Sequence, residues 1–192
     1  MDRATLIRRA FHLTSPVWLI WYWMPPDSWI GVKKEYVLLF FLCGALLIEA
    51  ARLITGRRIV GLRDYEQDRM SAYAWGSLGL ALGLLFFPGQ LVIPTFWGMA
   101  WIDPLCGYAR RRGGYPQYPV LAYLGLWLAV SFAVVPLAPY RTAPIGGLNL
   151  VLLGLVATAL AIAVERPNLK YVDDDFLMFV VPLLALAGLT LL

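Results

Sequence analysis

Residues 91–112 read LVIPTFWGMAWIDPLCGYARRR. The apolar run 91–109 is long enough to cross a bilayer as a helix, and three consecutive arginines close it. A single carboxylate, Asp103, stands within this run. Because a charged side chain at membrane depth is costly, a carboxylate in that position predicts a functional site.

The whole chain has the composition of a membrane protein. Of its 192 residues, 60% are hydrophobic and 15% are charged, whereas about a quarter of a soluble domain is charged. No polar stretch is long enough to fold alone, so we predict a single integral membrane domain, residues 1–192. The expected fold is an all-α bundle of about seven transmembrane helices. The apolar segments are 10–24, 36–54, 72–87, 91–109, 118–137, 145–164 and 176–192.

Basic residues recur on alternate loops, which orients the bundle. They are frequent before the first segment and after the second, the fourth (Arg110 to Arg112) and the sixth (Arg166 and Lys170), and the opposite loops hold only Lys33, Lys34 and Arg141. The positive-inside rule therefore predicts a cytoplasmic N-terminus. We expect an integral protein of a prokaryotic cytoplasmic membrane, or its equivalent, with the site facing the cytoplasm. The net charge of +4 is modest and gives no indication of nucleic-acid binding.

Asp103 and the residues after it form the strongest local pattern. Mg²⁺ is commonly bound through one or two carboxylates together with substrate phosphates. Arginines and glycine amides can hold those phosphates. The pattern predicts a catalytic, metal-binding Asp103, with phosphate contacts from Arg110, Arg111, Arg112 and Gly113. The alternative, that the arginines only fix the topology, leaves Asp103 unexplained.

Two further acidic groups lie at segment ends on the same predicted side. Asp173, Asp174 and Asp175 precede the last segment, where they are either metal ligands or N-caps of a helix. Glu49 and Arg52 are three residues apart on one helical face. Glu49 is therefore either a catalytic group that binds a metal or a hydroxyl, next to a phosphate-binding Arg52, or half of an intrahelical ion pair.

The N-terminus and the polar loop supply the remaining candidates. Arg8 and Arg9 are either membrane anchors or phosphate contacts, and Arg8 shares a helical face with His12. His12 is the only histidine, which makes it a candidate for proton transfer or phosphate contact. By themselves, Arg63 and Glu66 look like part of a solvated face.

The order of these motifs resembles the CTP-dependent polyprenol kinase family, which includes dolichol and phytol kinases and is related to phosphatidate cytidylyltransferases. Asp103 to Gly114 is similar to that family's Gly-Asp-x-x-Ala-x-x-x-Gly-Arg-Arg-x-Gly motif, although Ile102, Cys106 and Arg110 replace its Gly, Ala and second Gly. The other similar stretches are Arg8 to His12 (basic-x-x-His), Glu49 to Arg52 (Glu-x-x-Arg), Arg63 to Glu66 (Arg-x-x-Glu), and Glu165 followed by Asp173 to Asp175 (Glu, then Asp-Asp-Asn).

The resemblance implies a Mg²⁺-dependent lipid-alcohol kinase. Its partners would be CTP or another nucleotide as phosphoryl donor and a polyprenol-like or phytol-like alcohol in the bilayer, and a homodimer is compatible with it. Glu165 joins the candidate site on this ground. Two alternatives stay open: a cytidylyltransferase that forms a CDP-lipid, and a non-catalytic protein that binds or transports lipid on the same scaffold.

Overall fold

The computed structural model describes residues 3–27, 30–57, 59, 61–63, 66–139, 147–165 and 171–190. Arg141, Arg166 and Lys170, used above to orient the chain, lie outside these residues. Within them the chain is helical and contains no strand, which confirms the all-α prediction. The helices are α1 Arg3–Thr14, α2 Lys34–Thr55, α3 Ala72–Phe86, α4 Gly89–Arg112, α5 Gln117–Ala133, α6 Gly147–Glu165 and α7 Asp174–Thr190, with 3-10 helices at Ser15–Tyr22 and Val135–Leu137.

Two helical segments are long and apolar enough to cross a bilayer, namely Lys34–Thr55 and Gln117–Leu137. Ala72–Phe86 and Asn149–Glu165 are apolar but shorter. From the second onwards, the predicted segments coincide with α2 to α7 wherever the structure describes them. Length and composition thus establish two candidate spans in the described part of the chain.

The first predicted segment, 10–24, is not one continuous helix. α1 starts at Arg3 and ends at Thr14, and a 3-10 helix follows. Pro16 stands in the first turn of that helix and has no N–H to continue α1. The Thr14 hydroxyl donates to the Ala10 carbonyl at 2.8 Å and the Ser15 hydroxyl to the His12 carbonyl at 2.8 Å. The break therefore places His12 in the last turn of α1.

α4 lies at the centre of the fold, where it packs against α1, α3, α5, α6 and α7. The Tyr123 hydroxyl donates to the Thr95 carbonyl at 3.4 Å, and Trp127 Nε1 donates to Thr95 Oγ1 at 3.2 Å. Both bonds join α5 to α4. A Cβ at Gly98 would lie 2.6 Å from the Tyr123 ring, so the glycine permits this close approach.

α2 lies at the edge, packed chiefly against α3. It presents a continuous apolar surface, with Phe40 75% and Ile54 85% exposed. An exposed apolar surface of this extent is typical of contact with lipid or a partner.

Candidate functional site

Three titratable side chains, one each from α1, α4 and α7, lie close together where these helices approach one another. His12 Nε2 on α1 lies 3.4 Å from Asp175 Oδ2 on α7 and 3.9 Å from Asp103 Oδ2 on α4. One ligand atom from each of the three residues lies within 4.8 Å of the other two. The tertiary structure thus joins two carboxylates and the only histidine, which lie far apart in the sequence.

The three consecutive aspartates extend this cluster. Their carboxylates also offer ligand atoms within 4.8 Å of one another. Asp173 Oδ1 accepts a hydrogen bond of 3.1 Å from the Asp175 N–H at the start of α7, so Asp173 performs the capping role foreseen as an alternative. Burial, followed by the charge on Asp174, raises the pKa of Asp173 to about 6. Such crowding of like charges favours binding of a cation.

Asp175 is the member of the cluster that most needs a partner. The residue is 4% exposed, and its Oδ1 has no hydrogen-bond donor. Buried carboxylate oxygens are normally satisfied. A carboxylate oxygen without a donor, beside two other aspartates, fits a hard divalent cation such as Mg²⁺, which prefers oxygen ligands. The residues present therefore fit the predicted metal.

Arginines reach the cluster from two sides. Arg8 Nη2 lies 4.0 Å from Asp175 Oδ2, and Arg63 Nη1 lies 3.9 Å from Asp174 Oδ1. Arg9 is partly buried on the same helix as Arg8. At these distances the guanidinium groups partly offset the acidic charge of the cluster.

Glu49 and Arg52 form the ion pair that was the alternative to a catalytic role. Arg52 Nη2 and Nε donate to Glu49 Oε1 and Oε2 at 2.7 and 2.9 Å. The Ser71 N–H and hydroxyl also donate to Glu49, at 2.6 and 3.0 Å. Arg52 further donates to the carbonyls of Glu66, Gln67 and Arg69.

These bonds change the expected roles of both residues. The oxygens of Glu49 and the guanidinium of Arg52 are occupied by the protein itself, and both residues are buried. The geometry therefore favours a structural clamp between α2, the polar loop and the start of α3 over catalysis by Glu49 or phosphate binding by Arg52. Ser71, which was not among the predicted site residues, caps α3. A serine directly before an apolar run is the sequence signal for such a cap.

Glu66 does not belong to a solvated face. It is 2% exposed, and its Oε2 and Oε1 accept hydrogen bonds from the N–H groups of Arg63 at 2.7 Å and Ala72 at 3.3 Å. The expectation of a solvated face is wrong for this residue because the polar loop folds back on α3. Glu66 thereby fixes the backbone of Arg63, whose side chain reaches Asp174.

The C-terminal end of α4 is arranged differently from the prediction. Arg110 Nη1 lies 2.5 Å from Oε1 of Glu165, whose side chain is fully buried. This ion pair joins the end of α4 to the end of α6. Arg111 and Arg112 are exposed and remain the candidates for phosphate contact on this helix.

Gly113 ends α4 and does not cradle a phosphate. Its φ of 74° is left-handed, and its N–H donates back to the carbonyl of Arg110 at 3.4 Å. The Gly114 N–H donates to the Ala109 carbonyl at 3.0 Å. This is a Schellman-type cap, in which both amides donate hydrogen bonds to carbonyls of the last helical turn. The negative end of the helix dipole also disfavours an anion there.

An apolar groove opens beside the acidic cluster. It has a volume of about 420 Å³ and lies between the 3-10 helix Ser15–Tyr22, α2 and α3. A smaller cavity of about 80 Å³, lined by Arg8, His12 and Asp175, adjoins it. The two share four wall residues: Phe11, Trp18, Ser77 and Leu80. The apolar groove and the cavity that contains Asp175 therefore lie side by side. No motif in the sequence predicted this arrangement.

Comparison with known proteins finds no match. No family model matches it, and neither a curated protein nor a solved structure does so. The likeness to polyprenol kinases therefore depends on the quoted motifs alone.

Proposed function

We propose that this protein is an integral membrane enzyme that transfers a phosphoryl group from a Mg²⁺-bound nucleotide, with CTP as the expected donor, to the hydroxyl of a lipid alcohol. One observation carries the proposal: a cluster of His12, Asp103 and Asp175, flanked by arginines, adjoins an apolar groove. A site that accepts both a polyanion with its metal and a hydrocarbon needs these two surfaces together.

The proposal includes about seven membrane crossings, with the acidic cluster at the cytoplasmic face. α2 and the segment Gln117–Leu137 support it directly by length and composition. The shorter helices would cross with the help of their flanking turns. In this orientation the arginines at the ends of α2 and α4 would face the cytoplasm, as positive-inside placement requires.

Phosphoryl transfer needs little covalent help from a protein, so positioning and charge carry most of the catalysis. Asp103, Asp174 and Asp175 would hold Mg²⁺, which supplies charge neutralisation at the phosphates when bound. Arg8 and Arg63, which lie beside the aspartates, and the exposed Arg111 and Arg112 would contact phosphate oxygens.

His12 is the better candidate for the proton acceptor because Glu49 is occupied. The lipid oxygen forms its bond to the γ-phosphorus while the bond from that phosphorus to the bridging oxygen breaks, and the nucleoside diphosphate leaves. The hydroxyl proton passes to His12 Nε2. Asp103 and Asp175, 3.9 and 3.4 Å away, then stabilise the imidazolium.

The test is transfer of label from γ-labelled CTP or ATP to lipid alcohols by the purified, reconstituted protein. We expect labelled lipid from the wild type and from a control, Asp27→Asn, since Asp27 is exposed. Asp103→Asn should keep the fold and lose turnover, because a neutral amide anchors the cation poorly.

Two other results would redirect the assignment. Release of pyrophosphate on addition of a lipid phosphate would identify a cytidylyltransferase. Absence of both transfer and Mg²⁺-dependent nucleotide binding would overturn the proposal in favour of a lipid-binding scaffold.

A further inference from the structure

We infer that the groove holds one hydrocarbon chain and measures it, so that the preferred acceptors are single-chain alcohols whose extended length matches that of the groove. This inference rests on the proposed function for the identity of the head group. It goes further in excluding two-chain glycerolipids and very long polyprenols as well-bound acceptors.

The walls of the groove suit a hydrocarbon and little else. Among the described residues that line it, only Lys34 is charged and only Ser77 bears a hydroxyl. Ser77 also lines the smaller cavity, beside His12 and Asp175. A chain entering from the acidic cluster would therefore meet apolar and aromatic surface along its whole course.

The dimensions fit a single chain. α2 rises about 21 Å between Ile48 and Lys34, the two ends of its contribution to the wall, at about 1.5 Å per residue. The volume of about 420 Å³ lies near the lower end of the range of about 300–1,000 Å³ for small-molecule pockets. A groove of this length and volume favours one extended chain, such as that of hexadecanol.

Near Lys34, a contact between α2 and the 3-10 helix bounds the groove. Lys34 Nζ donates a hydrogen bond of 3.5 Å to the Trp21 carbonyl and lies 4.6 Å from the centre of its ring. These contacts join the start of α2 to the 3-10 helix, with Met24 alongside. A longer chain therefore meets a barrier at this end, while its hydroxyl at the other end is held beside His12.

Gly44 offers a way to shorten the groove without disturbing the fold. It faces the groove from the middle of α2, and an added Cβ would meet no atom within 4 Å. Leucine is also a better helix former than glycine. Gly44→Leu should therefore fold and place a barrier about 6 Å along the helix from Ile48. Gly125→Leu is the matched control, since Gly125 is equally open and lies on exposed α5 surface away from the groove.

The first arm of the experiment measures transfer. Wild type, Gly44→Leu and Gly125→Leu are assayed with octanol, dodecanol, hexadecanol, phytol, diacylglycerol and dolichol. We expect hexadecanol and phytol to be preferred by the wild type and the control. In Gly44→Leu their kcat/KM should fall more than about tenfold while octanol is little changed, because each methylene lost from apolar contact costs about 0.8 kcal/mol.

The second arm does not depend on turnover. Hexadecanol with a diazirine at its tail end is photolysed with each protein, and the labelled peptides are mapped by mass spectrometry. Label near Met24 and Leu38 in the wild type, lost in Gly44→Leu, supports the inference even if no phosphate is transferred, a result that would overturn the proposed function alone. Label on the outward residues Leu47 and Ile54, or a chain-length profile unchanged by Gly44→Leu, would overturn the inference while leaving the kinase intact.

Discussion

Asp175 and Glu49 are both buried carboxylates, yet their surroundings differ in kind. Each Glu49 oxygen accepts hydrogen bonds from Arg52 and Ser71. Asp175 Oδ1 accepts none. A carboxylate that the protein has satisfied is part of the framework, whereas one that it leaves unsatisfied at the edge of a cavity is available to a ligand. This contrast decides which of the acids is expected to act on substrate.

Asp175→Asn tests that availability. Removing a buried charge without a full set of partners should leave the unfolding temperature of the metal-free protein unchanged or higher. The wild type should be stabilised by added MgCl₂, since a ligand that binds only the folded state shifts unfolding, and the variant should lose this response. Thermal unfolding with and without MgCl₂ measures both effects. An equal response in Asp175→Asn would count against the aspartates as the cation site.

Glu49→Gln tests the opposite assignment. The substitution leaves Arg52 as a buried charge without its counter-ion, and breaking a buried pair typically costs about 3–5 kcal/mol. We expect a large fall in stability, measured by denaturant or thermal unfolding in detergent, together with retained turnover below the melting range. Loss of turnover in a folded, stable Glu49→Gln protein would restore Glu49 to the catalytic group.

At the scale of elements, the fold depends on close helix contacts at glycines along with apolar burial. Gly83 and Gly98 each lie against an aromatic ring, of Phe179 on α7 and of Tyr123 on α5, at distances that no real Cβ would tolerate. Gly83 thus lets α3 approach α7, the helix that carries Asp175, and Gly98 lets α4 approach α5. Phe96 joins α4 to α7 through its ring contact with Phe179, at 5.1 Å between centroids. Placement of the acidic cluster is a consequence of this packing.

Gly98→Ala should therefore be destabilising, although alanine is the better helix former. The new methyl group would approach the Tyr123 ring to 2.6 Å, and overpacking of this kind costs about 1–3 kcal/mol. Gly125→Ala on the exposed surface of α5 is the control, and it should be stabilising by up to about 1 kcal/mol. Equal unfolding midpoints for the two variants would show that α5 does not pack on α4 in this way.

At the scale of the whole molecule, α2 is the candidate span that defines the two faces of the protein in the proposed topology. Its 22 residues extend about 33 Å, close to the hydrocarbon core of about 30 Å. It separates Asp27 and Lys33 at one end from Arg57 at the other. The acidic cluster and the polar loop held by Arg52 share the Arg57 end.

Cysteine labelling tests this frame. In a background in which Cys43 and Cys106 are replaced by alanine, Asp27→Cys and Arg57→Cys should react with a membrane-impermeant maleimide from opposite faces, with Arg57→Cys protected in right-side-out cells or vesicles. Labelling of both from one face would contradict the proposed crossing of α2 and the cytoplasmic position of the site.

Hydrophobic patterning alone determined the helical class, the positions of α2 to α7 and the short list of acids and arginines. Apolar runs of this length have few other folded states, and carboxylates among them stand out because burying charge is costly. The break of the first segment at Pro16 could have been predicted from the sequence, since proline cannot continue a helix.

The tertiary structure decided which candidates meet. It joined His12 to Asp103 and Asp175, committed Glu49 and Arg52 to each other and to the polar loop, and used the amides of Gly113 and Gly114 to end α4. The groove beside the cluster likewise forms only where the 3-10 helix, α2 and α3 pack together. The physical reason is that a carboxylate's role depends on which donors surround it, and long-range packing supplies those donors.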